Sequence, residues 1–250
     1  NTFNVDDVGY ASAAAAGLTA GTDPSTDVLG ASVGTKQGFS IIKYNNPDGG
    51  THEIPHGLTQ TPNILISKKT SGTQDWFVHT NAIDGTVDYA YLNSIGTFSA
   101  SSRTLTSTTV PMINSSGDFI AYIWHDVPGL QKFGTVNGNG STNGPFIELG
   151  FRPALVWIKP LYSYDGGNTQ VAETGWYVYD NKRGPINPNG NVLGLNNNYV
   201  EQNDASDVDF LSNGFKIRNN RSINTTSNAI YCAWAEAPSF NLYGGQSNAR

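Results

Sequence analysis

The sequence predicts an all-β protein made of two tandem homologous antiparallel β-sandwich domains of a jelly-roll-like type. Short runs of β-branched and aromatic residues recur at even spacing, separated by Gly, Asn and Pro. The composition, with 28 glycines and only 14% charged residues, favours turns and strands over long helices. The motifs of the first half also return in the same order in the second half, which indicates an internal duplication.

Three pairs of matching segments support the duplication. They are Pro62–Lys68 with Pro153–Lys159, Trp76–His79 with Trp176–Tyr179, and the apolar runs ending at Trp124 and Trp234. The distance between partners grows along the chain, as expected when strands are kept and surface loops lengthen. Chance similarity among apolar strands is the alternative, and the tryptophans in two of the pairs argue against it.

The duplication predicts the domain boundaries. We expect an N-terminal arm over residues 1–37, a first domain over 38–129, a second over 130–240 and a tail over 241–250. Glycines and a proline punctuate the arm, which has no periodic pattern, so we expect an extended or loosely ordered segment, with a disordered tail as the alternative. The chain starts with Asn1 rather than Met, as expected of a processed chain or of part of a longer one.

Each predicted strand is a short apolar run between turn residues. In the first domain the strands are Gly38–Tyr44, Thr51–Pro55, Asn63–Lys68, Asp75–His79, Asp88–Leu92 and Gly117–Trp124. In the second they are Lys132–Val136, Pro145–Leu149, Ala154–Lys159, Gly175–Tyr179, Asn191–Leu195, Val208–Leu211, Phe215–Arg218 and Ala229–Trp234. The loop 161–174 is longer than its counterpart and the loop 181–189 has none, so binding surfaces would differ there.

Charge and cysteine content exclude several classes of protein. A net charge of −6 argues against nucleic acid and against an anionic membrane surface as partners. No apolar run approaches the roughly 18 residues of a membrane-spanning helix. The single cysteine, Cys232, excludes an intrachain disulfide, and its place in an apolar run predicts a small buried side chain.

We predict no catalytic residue, no cofactor and no metal site. The four histidines lack ligand spacing: His52, His56, His79 and His125. His79 and His125 correspond to Tyr179 and Ala235 in the second domain, a replacement that suits polar strand edges better than metal ligands. No nucleophile elbow, phosphate-binding glycine loop or zinc-protease motif is present in the sequence. Asp204, Asp207 and Asp209 could bind calcium, but a solvated acidic loop is the preferred interpretation. No carboxylate pair is singled out for glycoside hydrolysis.

The aromatic residues fall into two groups. The tryptophans at repeated positions are expected in the two cores, and Trp157 as well: Trp76, Trp124, Trp176 and Trp234. Tyrosines in loops are the candidates for contact with sugar rings, with ordinary loop tyrosines as the alternative: Tyr162, Tyr164 and Tyr199.

Several motifs resemble a tandem domain of tailed-phage virion proteins that is common in marine phages. The likeness runs from Gly38 to Pro238 and is strongest between Lys132 and Arg218, in KFGTVNGNGSTNGPF, GFRPALVWIK and DFLSNGFKIR. The lead-in DDVGYASAAAAGLTAG is similar as well. The resemblance implies a structural component of the particle, often a tail fibre or similar appendage, and carries over no catalytic residue.

From this resemblance we expect a non-enzymatic virion protein, most simply a tail-fibre or adhesion component. Its expected partners are further copies of itself, with a trimer favoured, other virion proteins and a host surface glycan. A capsid decoration or head fibre is one alternative, and a stand-alone carbohydrate-binding module is another. A glycan-degrading enzyme is the remaining alternative, although no motif supports it.

Overall fold

The computed structural model describes residues 2–21, 28–161, 175–220, 222–225 and 228–238. These residues form nineteen strands and one short 3-10 turn, Ser222–Asn224, so the all-β prediction is confirmed. The chain divides into two compact units. Unit 1 comprises the described residues up to Tyr91 together with Ser99–Asp126, and unit 2 comprises Leu92–Phe98 together with the described residues from Val127 onward.

Unit 1 contains eleven strands: β1 Phe3–Val5, β2 Val8–Tyr10, β3 Val28–Gly34, β4 Phe39–Asn46, β5 Glu53–Pro55, β6 Ile64–Lys69, β7 Phe77–Thr80, β8 Asp88–Tyr91, β9 Ser99–Ala100, β10 Thr109–Pro111 and β11 Gly117–Trp124. Nine of them form one sheet in the order β2-β1-β3-β4-β11-β6-β7-β8-β9, and β5 pairs with β10 in a separate ribbon. The sheet is mixed, because β1 runs parallel to β3 while its other pairs are antiparallel.

The arm over residues 1–37 is predicted to be extended or loosely ordered, and its described residues include three extended strands. Strands β1, β2 and β3 extend the sheet beyond β4. Phe3, Ala31 and Val33 are buried in the core of unit 1. The local sequence gives little sign of this because β1 and β2 have three residues each, and the parallel pairing of β1 with β3 joins residues 3–5 to residues 31–33.

The core of unit 1 lies between the nine-stranded sheet and the ribbon. On β11 the buried residues alternate, so Phe119, Ala121 and Ile123 face the core while their neighbours are half-buried. Ile54 of β5 and Val110 of β10 are opposite each other in the ribbon and belong to the same apolar cluster.

Unit 2 contains eight strands: β12 Gln131–Asn137, β13 Phe146–Glu148, β14 Pro153–Pro160, β15 Tyr177–Asp180, β16 Asn189–Gly194, β17 Gln202–Leu211, β18 Gly214–Ile217 and β19 Asn228–Ala235. They form one antiparallel, nearly closed barrel-like sheet in the order β12-β19-β14-β15-β16-β17-β18-β13. Residues from all eight strands contribute to one core cluster, including Val156, Val208 and Phe215.

Five strands follow the same order in both units. The order β4-β11-β6-β7-β8 in unit 1 corresponds to β12-β19-β14-β15-β16 in unit 2. The ribbon β5–β10 likewise corresponds to the pair β13–β18. The difference lies in the next strand: β9 has two residues, whereas β17 has ten and joins β16 to β18.

All the predicted strands are present, whereas β1, β2, β3, β9 and β10 were not predicted. The expected core position of the tryptophans is confirmed only for Trp176, which is 2% exposed. The other four are half-buried: Trp76, Trp124, Trp157 and Trp234. Trp124 directly follows the buried Ile123, and Trp234 directly follows the buried Ala233. Because successive side chains of a strand point to opposite faces, both tryptophans lie on the outer face of their sheet.

Candidate ligand-binding cleft

Four ring-bearing side chains share one face at the end of the sheet of unit 1. Strands β7 and β8 pair with Phe77 opposite Tyr91 and His79 opposite Tyr89. Because residues two apart on a strand share a face, all four rings lie on the same side. Leu65 of β6 is opposite His79 and belongs to the core, so this is also the core-facing side of the sheet.

The rings contact one another in a two-by-two patch. The centroids of Phe77 and Tyr91 are 4.9 Å apart at an interplanar angle of 77°, and those of Tyr89 and Tyr91 are 6.1 Å apart at 79°. His79 lies 6.2 Å from Phe77 in a nearly parallel arrangement. Edge-to-face packing of this kind fixes the ring directions. Phe77, Tyr89 and Tyr91 remain half-exposed.

The patch forms one wall of a cleft of about 310 Å³. This volume is at the lower end of the range of about 300–1,000 Å³ typical of small-molecule sites. The opposite wall comes from the segment around β9 and from the end of β10. The residues that line the cleft are Gln74, Phe77, His79, Tyr89, Tyr91, Ala100, Ser101, Ser102, Arg103, Met112, Ile113 and Asn114.

Arg103 is the cationic residue of the cleft, and no carboxylate is among the lining residues. Its Nη1 donates to Asn114 Oδ1 at 2.8 Å and its Nη2 to the His52 carbonyl oxygen at 2.5 Å. Burial lowers the pKa of Arg103 from its usual value, and the nearby charge of Glu53 partly offsets this effect. A guanidinium remains protonated at neutral pH despite such a shift, so Arg103 places one positive charge in the cleft.

His79 is a buried polar group without a partner. The side chain is 6% exposed, and its Nδ1 has no hydrogen-bond partner. Burial, together with the positive charge of Arg103, lowers the pKa of His79 to about 4. The imidazole is therefore neutral at pH 7.

The corresponding place in unit 2 is filled by the protein itself. Tyr179 occupies the position of His79, and its hydroxyl donates to Asp207 Oδ2 at 3.0 Å. Asn219 donates to the other oxygen of Asp207 at 2.7 Å. Val208 and Phe210 of the long strand β17 add to the core there. The short strand β9 provides no such residues, which is why the cleft of unit 1 stays open.

The arrangement offers the groups of a small-molecule binding site. Flat ring faces, amide and hydroxyl groups and one guanidinium surround the space. Among the described residues, no group of three His, Cys, Asp or Glu side chains is placed to hold a metal ion.

Comparison with known protein families matches residues 7–238 to a domain of unknown function, DUF7483. The chain belongs to the DUF7483 family. Comparison with curated proteins and with solved structures found no match. The matched range of the DUF7483 domain includes the whole cleft.

Within the described parts of this DUF7483 chain, no helix is long and apolar enough to cross a membrane.

Of the three predicted glycan contacts in this DUF7483 chain, Tyr199 is the one that lies among the described residues. Tyr162 and Tyr164 lie outside the described residues, as does most of the loop 161–174. Tyr199 is 61% exposed in the segment after β16, where its backbone N–H donates to Asn197 Oδ1 at 3.2 Å. It is not among the residues that line the cleft.

Other predicted positions are partly corrected. The acidic stretch around Asp207 forms strand β17 rather than a solvated loop, with Asp207 buried and Asp209 paired with Arg218 at 3.4 Å. Cys232 is buried as expected. His79 and His125, which are expected at polar strand edges, are buried, and so is His56.

The residues of the cleft carried a sequence signal that the motif search missed. In Asp88–Tyr91 the two tyrosines alternate with buried residues, as do Phe77 and His79 in the preceding strand. Two neighbouring strands with this pattern predict a shared aromatic face. Arg103 lies in an irregular segment, and only the folded chain brings it to that face.

Proposed function

We propose that this chain is a non-enzymatic structural protein of a tailed-phage virion, of the tail-fibre or adhesion type. The motifs from Lys132 to Arg218 that resemble tailed-phage virion proteins support the particle assignment. The proposed location is the virion, where the chain contacts the host surface or other virion subunits.

One observation favours adhesion over a purely architectural role: the contrast between the open cleft of unit 1 and its filled counterpart in unit 2. A purely architectural repeat has no need to keep one copy open. The open cleft and its filled counterpart are both explained if unit 2 has a structural role and unit 1 binds a ligand.

We also infer that the two units descend from one sandwich-type module. The shared order of five strands supports this, and so does a repeated lysine–tryptophan contact. Lys68 Nζ lies 5.9 Å from the ring centroid of Trp76, and Lys159 Nζ lies 5.5 Å from that of Trp176. Both lysines pair with an isoleucine at the same place in the central strand, Ile120 in unit 1 and Ile230 in unit 2.

The proposed assembly is a homo-oligomer, with a trimer as the expected state of a tail appendage. Its further partners are other virion proteins and a glycan on the host surface. Quantitative mass spectrometry of purified particles tests the assignment. We expect the chain in the particle at the low copy number of a fibre. Absence from the particle would contradict the proposal, and a high copy number would favour a capsid decoration or head fibre.

The cleft also favours a second candidate, a stand-alone carbohydrate-binding module. An aromatic wall with polar groups at its rim is the kind of surface that binds a sugar ring. This candidate predicts a monomer that binds glycan and is missing from particles.

A further inference from the structure

We propose that the cleft of unit 1 binds an acidic saccharide, with one sugar ring against the aromatic patch and its acidic group on Arg103. This inference deepens the proposed adhesion role and rests on it for the source of the saccharide, a host surface. The site itself stands on the geometry of unit 1.

The aromatic wall selects a ligand with an apolar face. Phe77, Tyr89 and Tyr91 are held by edge-to-face contacts and are half-exposed, so their positions are set before a ligand arrives. The C–H face of a pyranose ring packs well on such rings, and a preformed wall reduces the entropy lost on binding.

The polar residues that line the cleft favour a ligand with hydroxyl groups. Gln74, Ser101, Ser102 and Asn114 bring amide and hydroxyl groups to the same space. A saccharide presents several hydroxyls that both donate and accept, which matches these mixed partners. A simple aromatic acid would leave most of them unused.

Arg103 selects an acidic group. Two of the five N–H groups of its guanidinium bond to neutral oxygens, those of Asn114 and of the His52 backbone. Among the described residues, no carboxylate lies within ion-pairing distance of Arg103.

Glu53 acts on Arg103 through its charge, but its carboxylate accepts hydrogen bonds from Thr104 and Thr109. A carboxylate or sulfate on the ligand would add a charge that bonds directly to the guanidinium. Nucleic acid is disfavoured because the chain is acidic overall and the cleft offers one cation.

The test is a titration of the full chain with a panel of hexuronate, sialylated and sulfated oligosaccharides, each paired with its neutral counterpart. We expect at least one acidic saccharide to bind at least about tenfold more tightly than its neutral counterpart. Its affinity should fall as salt is added. Binding to none of the panel would overturn the inference. Equal binding of a neutral partner, or of benzoate, would overturn it as well.

Four variants localise the binding. We expect Tyr89→Ala to weaken the binding of the acidic saccharide at least about tenfold. Arg103→Gln should remove the preference for the acidic over the neutral partner, and Arg103→Lys should retain part of it because the charge is kept. Tyr199→Ala, an exposed tyrosine outside the cleft, is the matched control and should bind like the native chain. A thermal melt shows which variants are folded, and Tyr89→Ala decides the test if the Arg103 variants are not.

Loss of binding in Tyr199→Ala with native binding in Tyr89→Ala would overturn the assignment to the cleft. This experiment and the particle measurement can fail independently. Saccharide binding by a chain that particles lack would contradict the proposed virion role and leave the cleft assignment standing. A chain that is present in particles but binds no member of the panel would contradict the cleft assignment and leave the proposed virion role standing.

Discussion

At the residue scale, the φ angle of Gly57 allows its backbone to pack closely against Leu18 of the N-terminal segment and Val33 of strand β3. This φ is +70°, which residues with a side chain rarely adopt. An added Cβ would lie 2.9 Å from Leu18 Cδ2 and 3.0 Å from Val33 Cγ2. Both neighbours belong to the core of unit 1, so there is little room for them to move.

We expect Gly57→Ala to lower the free energy of unfolding by about 2–4 kcal/mol, because backbone strain and overpacking add. Gly17→Ala is the matched control, since Gly17 has a φ of +73° and nothing within 4 Å of an added Cβ. Gly17→Ala should lower the free energy of unfolding by about 1 kcal/mol, which is the cost of the backbone strain alone. Urea denaturation of both variants measures the difference, and equal losses would contradict the close packing around Gly57.

Two buried histidines also matter at the residue scale. His56 uses both ring nitrogens: Nε2 donates to the Thr106 carbonyl oxygen at 3.2 Å, and Nδ1 accepts from the Leu58 N–H at 3.0 Å. Protonation would place a hydrogen on Nδ1 and break the second bond. Burial lowers the pKa of His56 to about 4, and burial likewise lowers the pKa of His79 to about 4.

These shifts predict that the protein loses stability as the pH falls. Between pH 6.5 and 4 the unfolded chain binds protons that the folded chain does not, so stability is complete above pH 6.5 and is lost toward pH 4. The expected loss is on the order of 2–3 kcal/mol per histidine. Burial raises the pKa of Asp88 and opposes part of this loss.

Thermal melts between pH 7.5 and 4.5 measure the effect. His79→Phe keeps an aromatic ring beside Phe77 and Tyr89 and should remove about half of the pH dependence. The lowered pKa values of Asp48, Asp84 and Asp180 affect stability below their usual 3.8, which is outside this pH window. A pH dependence unchanged in His79→Phe would contradict the neutral, buried state of His79.

At the scale of the element, β11 separates a core face from an outer face. Ile123 is fully buried, whereas Ile120 on the same strand is half-buried and points to the other side. Trp124 and Tyr122 share that outer side, with Trp124 stacked on Phe39 at 4.7 Å. The outer side is thus partly covered by aromatic rings and does not form the core.

We expect Ile123→Ala to lower the free energy of unfolding by about 2–5 kcal/mol because it leaves a cavity in the core. Ile120→Ala removes the same atoms from a half-buried position and should lower it by less than about 2 kcal/mol. Chemical denaturation compares the two. A larger loss for Ile120→Ala would mean that the two faces of the strand are reversed.

The element scale also shows what the sequence could and could not predict. Strands with their own apolar alternation, such as β11 and β19, were predicted within one residue of their ends. Strands β1, β2, β3, β9 and β10 were missed because they are short or rich in Gly, Ser and Ala. In addition, β1 and β10 pair with strands that lie far away in the chain. Burial of Trp124 was misjudged because its hydrophobicity was weighed before its place in the alternation.

At the scale of the whole molecule, the candidate site depends on a difference between two units that the sequence presents as alike. The repeat was visible because its strands keep their motifs. The cleft was not, because it results from the contrast between a two-residue and a ten-residue strand and from Arg103 reaching a face built by β7 and β8. Neither feature is a property of a local motif.

The central claim is that unit 1 has an open binding cleft whose counterpart in unit 2 is filled. Mapping amide shifts by NMR during titration with the most tightly bound acidic saccharide tests it most directly. We predict that the shifted amides belong to β7, β8 and the lining residues Ser101–Arg103 and Met112–Asn114. Shifts confined to unit 2, around Tyr179 or Tyr199, would contradict the claim.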